Sequence, residues 1–573
     1  MLSSLPPGLL LIIGGLLIPL LAGRRNGERP GLPLQVGLVL IPLLSAWHLL
    51  SIPVGTEIQV SLFDYELTLI RVDRLALVWG YIFHIAALVA AVYSLHVRDP
   101  VQHASAFTYA GAAIGAVFAG DLITLFVFWE LTAITSVFLI WASRSERSYA
   151  AGMRYLIIQV GSGVLLLAGT VLRVQQGDGL RFGLLGPIDD IGTLLIFIAF
   201  GIKCALPLLH NWLQDAYPEA TPTGTVWLSA FTTKLAVYAL ARGFPGTEIL
   251  IPIGTLMAAF PIFYAVIEND LRRVLAYSLN NQLGFMVVGI GIGTPLALNG
   301  TAAHAFCHIL YKALLFMSMG AVLLRTGTAK GSELGGLYKS MPWTASFCAV
   351  GAASISAFPL FSGFVSKSLI MTAAAEEHHT FVWLVLLFAS AGVFHHSGIK
   401  IPFFAFFAHD SGKRVKEAPV NMLLAMGATA VLCIVLGCMP GPLYALLPFD
   451  IDYAPYTTAH VMTQLQLLMW SALAFTFLNR TGIYPPELPS TNLDSDWFYR
   501  RAYPEVVRSL VATGTAALSR VTEAGKSVGG VGLAVIRALH DPRGVFGRTW
   551  TTGTMVLFAA ILLFFYLVVY FLH

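Results

Sequence analysis

The sequence has little charge for its length, and this shortage excludes most classes of soluble protein. Only 11% of the 573 residues are charged, whereas 57% are hydrophobic. Apolar runs of about 20 residues, the length that crosses a bilayer as a helix, recur from end to end. The net charge of +4 is small, and the arginines gather in short loops, which is typical of membrane orientation rather than of nucleic-acid binding. We therefore expect an all-α polytopic membrane protein. Its partner is the lipid bilayer, and it should not bind nucleic acid.

The sequence also lacks the motifs of cofactor and metal sites. Its five cysteines show no Cys-x-x-Cys spacing, and each lies in or beside an apolar segment, which favours reduced thiols packed among helices. The glycine-rich stretch at 289–293 ends an apolar run and follows no strand, which excludes a nucleotide-binding loop. The sequence predicts no cofactor and no bound metal.

No basic residue precedes the first apolar run, and Arg24 and Arg25 follow it directly. This order is the reverse of a secretory signal, so we expect the run to be retained. Arginines also follow the fifth and ninth predicted spans. By the positive-inside rule these exits are cytoplasmic and the N-terminus is periplasmic, although five arginines fall on the opposite side.

Hydropathy predicts about 14–16 transmembrane helices. The segment 343–372 contains Pro359 and Gly363 and is expected to be a broken helix. The candidate spans are 6–23, 33–52, 74–96, 105–120, 122–142, 150–172, 191–209, 222–242, 249–267, 274–293, 300–325, 343–372, 381–408, 421–447, 461–479 and 551–572.

Two further segments stand apart from the spans. Residues 53–73 alternate polar and apolar side chains, which predicts a short extramembrane hairpin. Residues 479–550 carry prolines and arginines and are only moderately hydrophobic. Within them an approximate helical apolar face predicts an amphipathic helix lying along a surface, on Val507, Leu510, Val511, Leu518 and Val521. The span 551–572 would then anchor the end of the chain.

Five ionisable residues interrupt apolar spans: Glu130, Lys203, Lys234, Lys312 and Lys400. A charge at the bilayer centre costs roughly 2.5–3.5 kcal/mol or more, so such residues usually face a polar interior and mark an ion or proton route. Lysine suits proton transfer because desolvation brings its proton affinity within reach of neutral pH, which arginine does not allow.

Glu130 and Lys203 are candidates for one functional unit, since a carboxylate facing a lysine modulates the proton affinity of that lysine. The alternative is a structural carboxylate bonded to a neighbouring helix. Lys203 and Lys400 each follow Gly-Ile and precede a proline, a local pattern that permits a helix break beside a polar cavity. Snorkelling to the interface is the alternative for Lys400, which lies nearer the end of its span.

His304, His308 and Lys312 recur every four residues and so share one helix face. Histidine exchanges protons near neutral pH, which suits a relay. A metal site on the two histidines is the alternative, but no third ligand is evident. Lys234, in the span after that of Lys203, could exchange a proton with Lys203 through water or form a structural ion pair instead.

Six stretches of the sequence match the motifs of a known family. They are Phe-Trp-Glu-Leu at 128–131, and residues 215–223, 230–234, 270–278, 304–316 and 358–364. Together they resemble the antiporter-like subunits shared by Mrp-type cation/proton antiporters and respiratory complex I. Within that family the chain looks most like the D-type member of the Mrp sodium/proton antiporters, on the Tyr-Pro-Glu-Ala-Thr-Pro-Thr turn and on Lys234 in place of histidine. Its length instead resembles longer members with a lateral helix.

The resemblance implies two inverted five-helix repeats, each with a broken helix and a half-channel. The repeats would occupy residues 105–267 and 268–447, after N-terminal helices at 1–104 and before a C-terminal helix, surface segment and anchor at 448–573. It implies that Glu130 and Lys203 serve the first half-channel and Lys400 the second. Lys234 would be the connecting lysine, and the His304, His308 and Lys312 face the central relay.

The function implied is that of a proton-translocating subunit of a multisubunit sodium/proton antiporter in the bacterial inner membrane, a transporter subunit and not an enzyme. Its partners would be other membrane subunits, protons and Na+. The alternatives are the proton-pumping arm of a redox or hydrogenase complex, a bicarbonate-uptake module, and a membrane scaffold, against which the file of buried ionisable residues argues.

Overall fold

The computed structural model describes residues 5–22, 31–63, 65–450, 452–488 and 492–572. The chain separates into two compact units, Met1–Asn492 and Leu493–His573. Among the described residues, ten helices are long and apolar enough to cross a membrane. The predicted all-α polytopic architecture is confirmed.

Each predicted span contains a helix or consecutive shorter helices, because an apolar segment satisfies its backbone groups in lipid only by forming helical hydrogen bonds. The first ten α-helices are α1 (Leu9–Ala22), α2 (Leu32–Leu50), α3 (Arg74–Tyr93), α4 (Pro100–Phe118), α5 (Leu122–Trp141), α6 (Glu146–Gln176), α7 (Ile191–Cys204), α8 (Asn211–Ala216), α9 (Gly224–Ala230) and α10 (Thr232–Gly243).

The second half of the chain continues the series. Its helices are α11 (Leu250–Ile267), α12 (Leu271–Ile292), α13 (Pro295–Thr326), α14 (Pro342–Ile355), α15 (Ser362–Glu376), α16 (Thr380–Val393), α17 (Lys400–Pro402), α18 (Val420–Cys438), α19 (Gly441–Ala445), α20 (Thr458–Arg480), α21 (Tyr503–His540) and α22 (Thr552–Leu572). The long helix α13 is buried over most of its length and packs against α3, α12, α14, α15 and α18.

Two spans are broken in the same manner. After α7 the chain turns through Ala205 and Leu208, and between α14 and α15 it turns through Ala357 and Leu360. All four adopt positive φ, a left-handed conformation that costs a non-glycine residue roughly 1–2 kcal/mol and ends a helix. The expected breaks after Lys203 and within 343–372 are therefore present.

The span that carries Lys400 differs from this pattern. It stays helical, but passes through π-helical turns at Phe394–Ile399 and Phe403–Phe407 on either side of α17. Pro402 lacks the N–H that an α-helix needs at this position, and a wider helical turn accommodates such a local mismatch. The pattern that permits a break in both spans thus coincides with a turn after Lys203 and with π-helical turns around Lys400.

The predicted hairpin is present as β1 (Glu57–Leu62) and β2 (Tyr65–Arg71), paired antiparallel from Glu57 opposite Arg71 to Leu62 opposite Tyr65. It is fixed to the helices by the Gly120 N–H, which donates to the Thr68 carbonyl. Strand β2 packs beside α4 and α5.

The second unit contains α21 and α22. The 38 residues of α21 form one continuous helix of about 57 Å. The glycines at 514 and 525 do not interrupt it. The predicted amphipathic segment and final anchor helix are thus confirmed, with the amphipathic helix longer than its sequence pattern indicates.

Candidate functional site

The first ionisable cluster joins α5 to α7. Lys203 is fully buried in the last turn of α7, and its ammonium donates to the Trp129 carbonyl at 2.5 Å and to Thr132 Oγ1 at 2.8 Å. The ammonium also lies 4.4 Å from the centre of the Trp129 ring. Trp129 and Thr132 flank Glu130 in the sequence of α5. The Glu130 carboxylate and the Lys203 ammonium therefore lie in the same region of the bundle.

The Glu130 carboxylate occupies a recess that α6 provides. A methyl group on Gly163 would overlap this carboxylate, so the recess exists only because residue 163 is glycine. The neighbouring Ser162 Oγ accepts a hydrogen bond from the Trp129 indole at 3.0 Å. Oε1 of Glu130 is buried without a hydrogen-bond partner in the described part of the chain. Nothing in this geometry ties the carboxylate to a neighbouring helix as a structural group.

Lys234 lies fully buried near the start of α10. Its ammonium donates to the Ser229 carbonyl at 2.6 Å, and its own carbonyl accepts the Trp79 indole N–H at 2.9 Å. Within the described residues Lys234 has no carboxylate partner in any ion pair that the structure contains, so the alternative of a structural ion pair gains no support. A buried lysine bound only to neutral groups can lose its proton without leaving a carboxylate unpaired.

The three residues of the α13 face are all completely buried. His304 contacts Ser366 Oγ through Nδ1 at 3.1 Å and Gln282 Oε1 through Nε2 at 3.2 Å. Neither ring nitrogen of His308 has a partner among the described residues, and its ring packs 5.3 Å from that of Tyr311. His308 is therefore the member of the face that is free to accept or donate a proton.

Lys312 begins a chain of hydrogen bonds that reaches the span of Lys400. Its ammonium donates to Ser278 Oγ at 2.8 Å, Ser397 Oγ donates to Ser278 Oγ at 2.8 Å, and His396 Nδ1 contacts Ser397 Oγ at 2.9 Å. Hydroxyl groups can both donate and accept, so the two serines can pass a proton between Lys312 and His396. The serines were not identified from the sequence, since neither interrupts an apolar pattern as a charge does.

Lys400 has a different environment from the other buried lysines. Its ammonium donates to the carbonyls of Ala265, Val266 and Glu268 at 3.2, 2.7 and 2.7 Å, at the end of α11. It also pairs with the Glu487 carboxylate at 2.9 Å. The Lys400 side chain has no exposed surface, so it does not snorkel to an interface.

Lys367 is a buried lysine that sequence reasoning missed. It lies on α15 next to Ser366, the partner of His304, and its ammonium contacts the Ile355 carbonyl and Ser390 Oγ at 3.3 Å each. The signal was present in the sequence, as a lysine between serines inside the predicted span 343–372. Lys367 lies inside the second part of this broken span, and it was not counted among the ionisable residues that interrupt apolar spans.

The turn at 215–223 is held in place by arginines from other helices. Arg272 donates to the carbonyls of Pro218 and Ala220 at 2.8 Å each, and Arg154 pairs with Asp215 at 2.7 Å. Burial raises the pKa of the nearby Glu219 carboxyl, although Arg273 and Arg147 oppose the shift. These contacts fix the segment that connects the Lys203 and Lys234 helices.

Another charged cluster ties the hairpin to α10 outside the apolar spans. Asp73 caps α3 by accepting the Ala76 N–H at 2.9 Å and pairs with Arg242 at 2.7 Å. Burial raises the pKa of Asp73, but the hydrogen bond and charge of Arg242 outweigh it, so the net shift is downward.

Together these ionisable groups, all buried except the half-buried Glu130, form a series through the interior of the first unit. Among the described residues, no group of three or more His, Cys, Asp or Glu side chains could hold a metal ion. The series contains five lysines and three histidines, with carboxylates at its two ends, Glu130 and Glu487. Such a set can bind, hold and pass protons, because each member has a protonated and a deprotonated form.

The fold and this series define a class, that of polytopic antiporter-like membrane subunits with a file of buried ionisable groups. The family described as "NADH:quinone oxidoreductase/Mrp antiporter, TM" matches residues 119–394, which include most of the file. The chain belongs to this family of Mrp and complex I-type subunits, since it is also 30% identical over 356 residues to the D-type component of the Na(+)/H(+) antiporter of Alkalihalophilus pseudofirmus. That alignment covers 58% of this chain and 71% of the relative.

Two other relatives extend the comparison. The chain is 27% identical to Hydrogenase-4 component B of Escherichia coli over 426 residues, covering 65% of this chain and 63% of the relative. A chain of the Mrp complex from Dietzia sp. DQ12-45-1b superposes with a TM-score of 0.73 at 25% identity, covering 92% of this chain and 62% of that chain. This chain thus spans less than two thirds of the length of both proteins.

Proposed function

We propose that the protein is a proton-translocating subunit of a multisubunit monovalent cation/proton antiporter, with Na+ as the exchanged cation. The observation that carries the proposal is the hydrogen-bonded chain from Lys312 through Ser278 and Ser397 to His396, which joins the central helix to the span of Lys400. Buried charged and polar groups usually stabilise a fold less than apolar packing of the same volume, and inside a membrane they commonly mark an ion or proton route, which supports a functional role for this path.

In this proposal protons pass among Glu130, Lys203, Lys234, the His304, His308 and Lys312 face, and Lys400. Lys203 and Glu130 form the exchanging pair of one half, where the carboxylate changes the proton affinity of the lysine. His308 and Lys312 carry the proton through the centre. Lys367, beside the Ser366 partner of His304, is a further carrier in addition to the residues predicted from the sequence.

The energy scale supports such a path. A membrane potential contributes about 2.3 kcal/mol per charge per 100 mV, which is comparable with the roughly 1.4 kcal/mol that one unit of pKa shift represents. A proton that crosses the whole membrane at about 100 mV therefore gains enough free energy to offset a total difference of one to two pKa units along its path.

The proposed setting is a hetero-oligomeric complex in the bacterial inner membrane, with other membrane subunits as partners and the N-terminus on the periplasmic side. Residues 105–267 and 268–447 would form its two half-channels, flanked by the N-terminal helices at 1–104 and the C-terminal region at 448–573. The name of the A. pseudofirmus relative supports Na+ as the exchanged cation. The chain would work as a transporter subunit and not as an enzyme.

A second candidate function is the proton-pumping arm of a redox complex, driven by chemistry in partner subunits. The similarity to Hydrogenase-4 component B, which extends over 65% of this chain, favours it. The same proton file would serve both functions. Purification of the intact complex and identification of its subunits would separate them, since cluster-binding partners would indicate a redox pump.

The proposed path predicts that Lys203→Ala abolishes antiport. The variant removes the ammonium that binds Trp129 and Thr132, and no other side chain described near them can replace it. The measurement is dissipation of a pH gradient on addition of Na+ to membrane vesicles that contain the complete complex. Lys339→Ala, which removes a half-exposed lysine paired with Asp410, is the matched control and should behave as the wild type. Wild-type antiport in Lys203→Ala would disprove the path.

A further inference from the structure

The loop that follows α20 places a carboxylate inside the membrane unit. Glu487 lies in the segment between α20 and the start of the second unit, yet its side chain is only 6% exposed. It reaches Lys400 Nζ at 2.9 Å, and a Cβ on Gly331 would lie 3.5 Å from its Oε2. The carboxylate therefore sits where α11 ends and the loop after α13 passes, at one surface of the bundle.

The ammonium of Lys400 has more acceptors than protons. Three backbone carbonyls and one carboxylate lie within 3.2 Å of Nζ, while an ammonium has three donors. A neutral amine keeps two N–H groups, which two of the three carbonyls can still accept. Transfer of one proton from Lys400 to Glu487 therefore leaves the amine bonded and releases only the ion pair.

The other groups around Glu487 do not neutralise it. Tyr484 is buried, its hydroxyl has no partner in the described chain, and its ring packs 5.3 Å from that of His395. Glu268 uses its carboxylate oxygens for the N–H groups of Asn269 and Asp270 and for the Asn492 amide. Burial raises the pKa of the Glu487 carboxyl, while the charge of Lys400 opposes this and that of Glu268 adds to it.

Resting on the proposed function, we propose that Glu487 is the terminal proton acceptor of the second half-channel. The Lys400 N–H bond breaks and a Glu487 O–H bond forms, which turns ammonium and carboxylate into amine and carboxylic acid. The acid then gives its proton to water. The returning carboxylate pairs again once Lys400 has been reprotonated from the side of His396.

Asn492 offers a control residue near this ion pair. Its Nδ2 donates to Glu268 Oε2 at 3.1 Å, so it bonds to the other carboxylate that acts on Glu487. The Asn492 side chain does not itself titrate. It therefore provides the control that separates proton transfer from mere attachment.

The test uses the complete complex in membrane vesicles and compares Glu487→Gln and Lys400→Arg with Asn492→Ala. Glutamine has nearly the shape of glutamate but does not ionise, and arginine keeps the ion pair but does not give up its proton. We expect both variants to lower the antiport rate on the order of a hundredfold, as loss of a positioned proton-transfer group does. The Glu487→Gln variant should also lose one ionisation from the pH profile, while Asn492→Ala should keep the wild-type profile.

Correct folding of each variant is checked by its content in the purified complex. If Lys400→Arg, or the neutral pair Lys400→Gln with Glu487→Gln, works at the wild-type rate, the pair is only a tether and the inference is overturned. Wild-type rate and pH profile in Glu487→Gln would overturn it as well. With Lys203→Ala inactive in the same vesicles, wild-type behaviour of Glu487→Gln alone would overturn this inference and leave the proposed function standing. A wild-type rate in a Lys400 variant would in addition remove Lys400 from the proposed path.

Discussion

Every buried cation of the proposed path is a lysine, and the buried arginines lie elsewhere. Lys203, Lys234 and Lys312 bind carbonyl or hydroxyl oxygens in the interior, whereas Arg272 holds the carbonyls of a connecting turn. Arginine stays charged in proteins, so it suits permanent structural contacts, and lysine suits a site that must be able to lose its charge. The distribution of the two residue types thus follows the division between scaffold and path.

Gly163 determines where the Glu130 carboxylate can lie. Since a methyl group there would overlap the carboxylate, Gly163→Ala should displace it from Lys203 and reduce antiport by about a hundredfold, the cost typical of a small misplacement at a reacting group. The measurement is the Na+-dependent pH-gradient assay in vesicles.

The same helix supplies the control for this variant. Gly161→Ala adds a methyl group that meets nothing within 4 Å, so it should leave the rate unchanged. Equal rates for the two alanine variants would show that the position of Glu130 does not limit proton transfer.

At the scale of elements, short helices and extra-helical loops place the charges. The hairpin is fixed to α10 through Asp73 and Arg242, about two turns of helix beyond Lys234. The break between α14 and α15 brings Lys367 into the interior, and the loop after α20 brings in Glu487. Each of these charged groups is thus presented by an irregularity in an otherwise regular bundle.

Asp73 predicts an acid-sensitive part of the stability. Its folded-state pKa is lowered, so the stabilisation is fully present above the ordinary aspartate value of about 3.9 and is lost as the pH falls through the lower folded value. Asp73→Asn keeps a capping side chain but not the charge. It should lower the thermal unfolding temperature at pH 7 and remove the decline of the wild type below about pH 4.

Two further variants test this interpretation. Asp73→Ala also removes the cap of α3 and should cost about 1 kcal/mol more than the asparagine variant. Asp450→Asn breaks an ion pair whose carboxylate is 90% exposed and should change little. An unfolding temperature of Asp73→Asn that follows the wild type at every pH would contradict the assignment.

At the scale of the whole molecule, the second unit differs from the first in having no buried residue in either of its described helices. Both α21 and α22 expose their apolar side chains along their whole length. Exposed apolar surface of this extent is typical of contact with lipid or with other subunits.

Truncation after Asn492 should therefore separate folding from assembly. The shortened chain keeps every helix of the first unit, so we expect it to insert and to remain stable in membranes. We expect its complex to lose subunits, as seen by native electrophoresis of solubilised membranes. A complex of undiminished composition would show that the second unit has no role in assembly.

Sequence reasoning found the spans and the charges within them because both depend on one physical property, the cost of polarity in lipid. It did not find Ser278, Ser397 or Glu487. A serine can donate to the backbone of its own helix at little cost, so it hardly changes the hydropathy of a span. Glu487 lies in a polar segment, where a carboxylate is common. The π-helical turns beside Lys400 could not be predicted from the sequence either, because Gly398 and Pro402 are equally compatible with a helix break.

The shortness of α7 has a consequence for biosynthesis. Its 14 residues rise about 21 Å, less than the roughly 30 Å of the hydrocarbon core. Released into lipid alone during synthesis, α7 would leave its ends and Lys203 unpaired in hydrocarbon. We expect it to leave the insertion machinery together with α5, which supplies the oxygen partners of Lys203, so that the order of synthesis governs how the bundle is assembled.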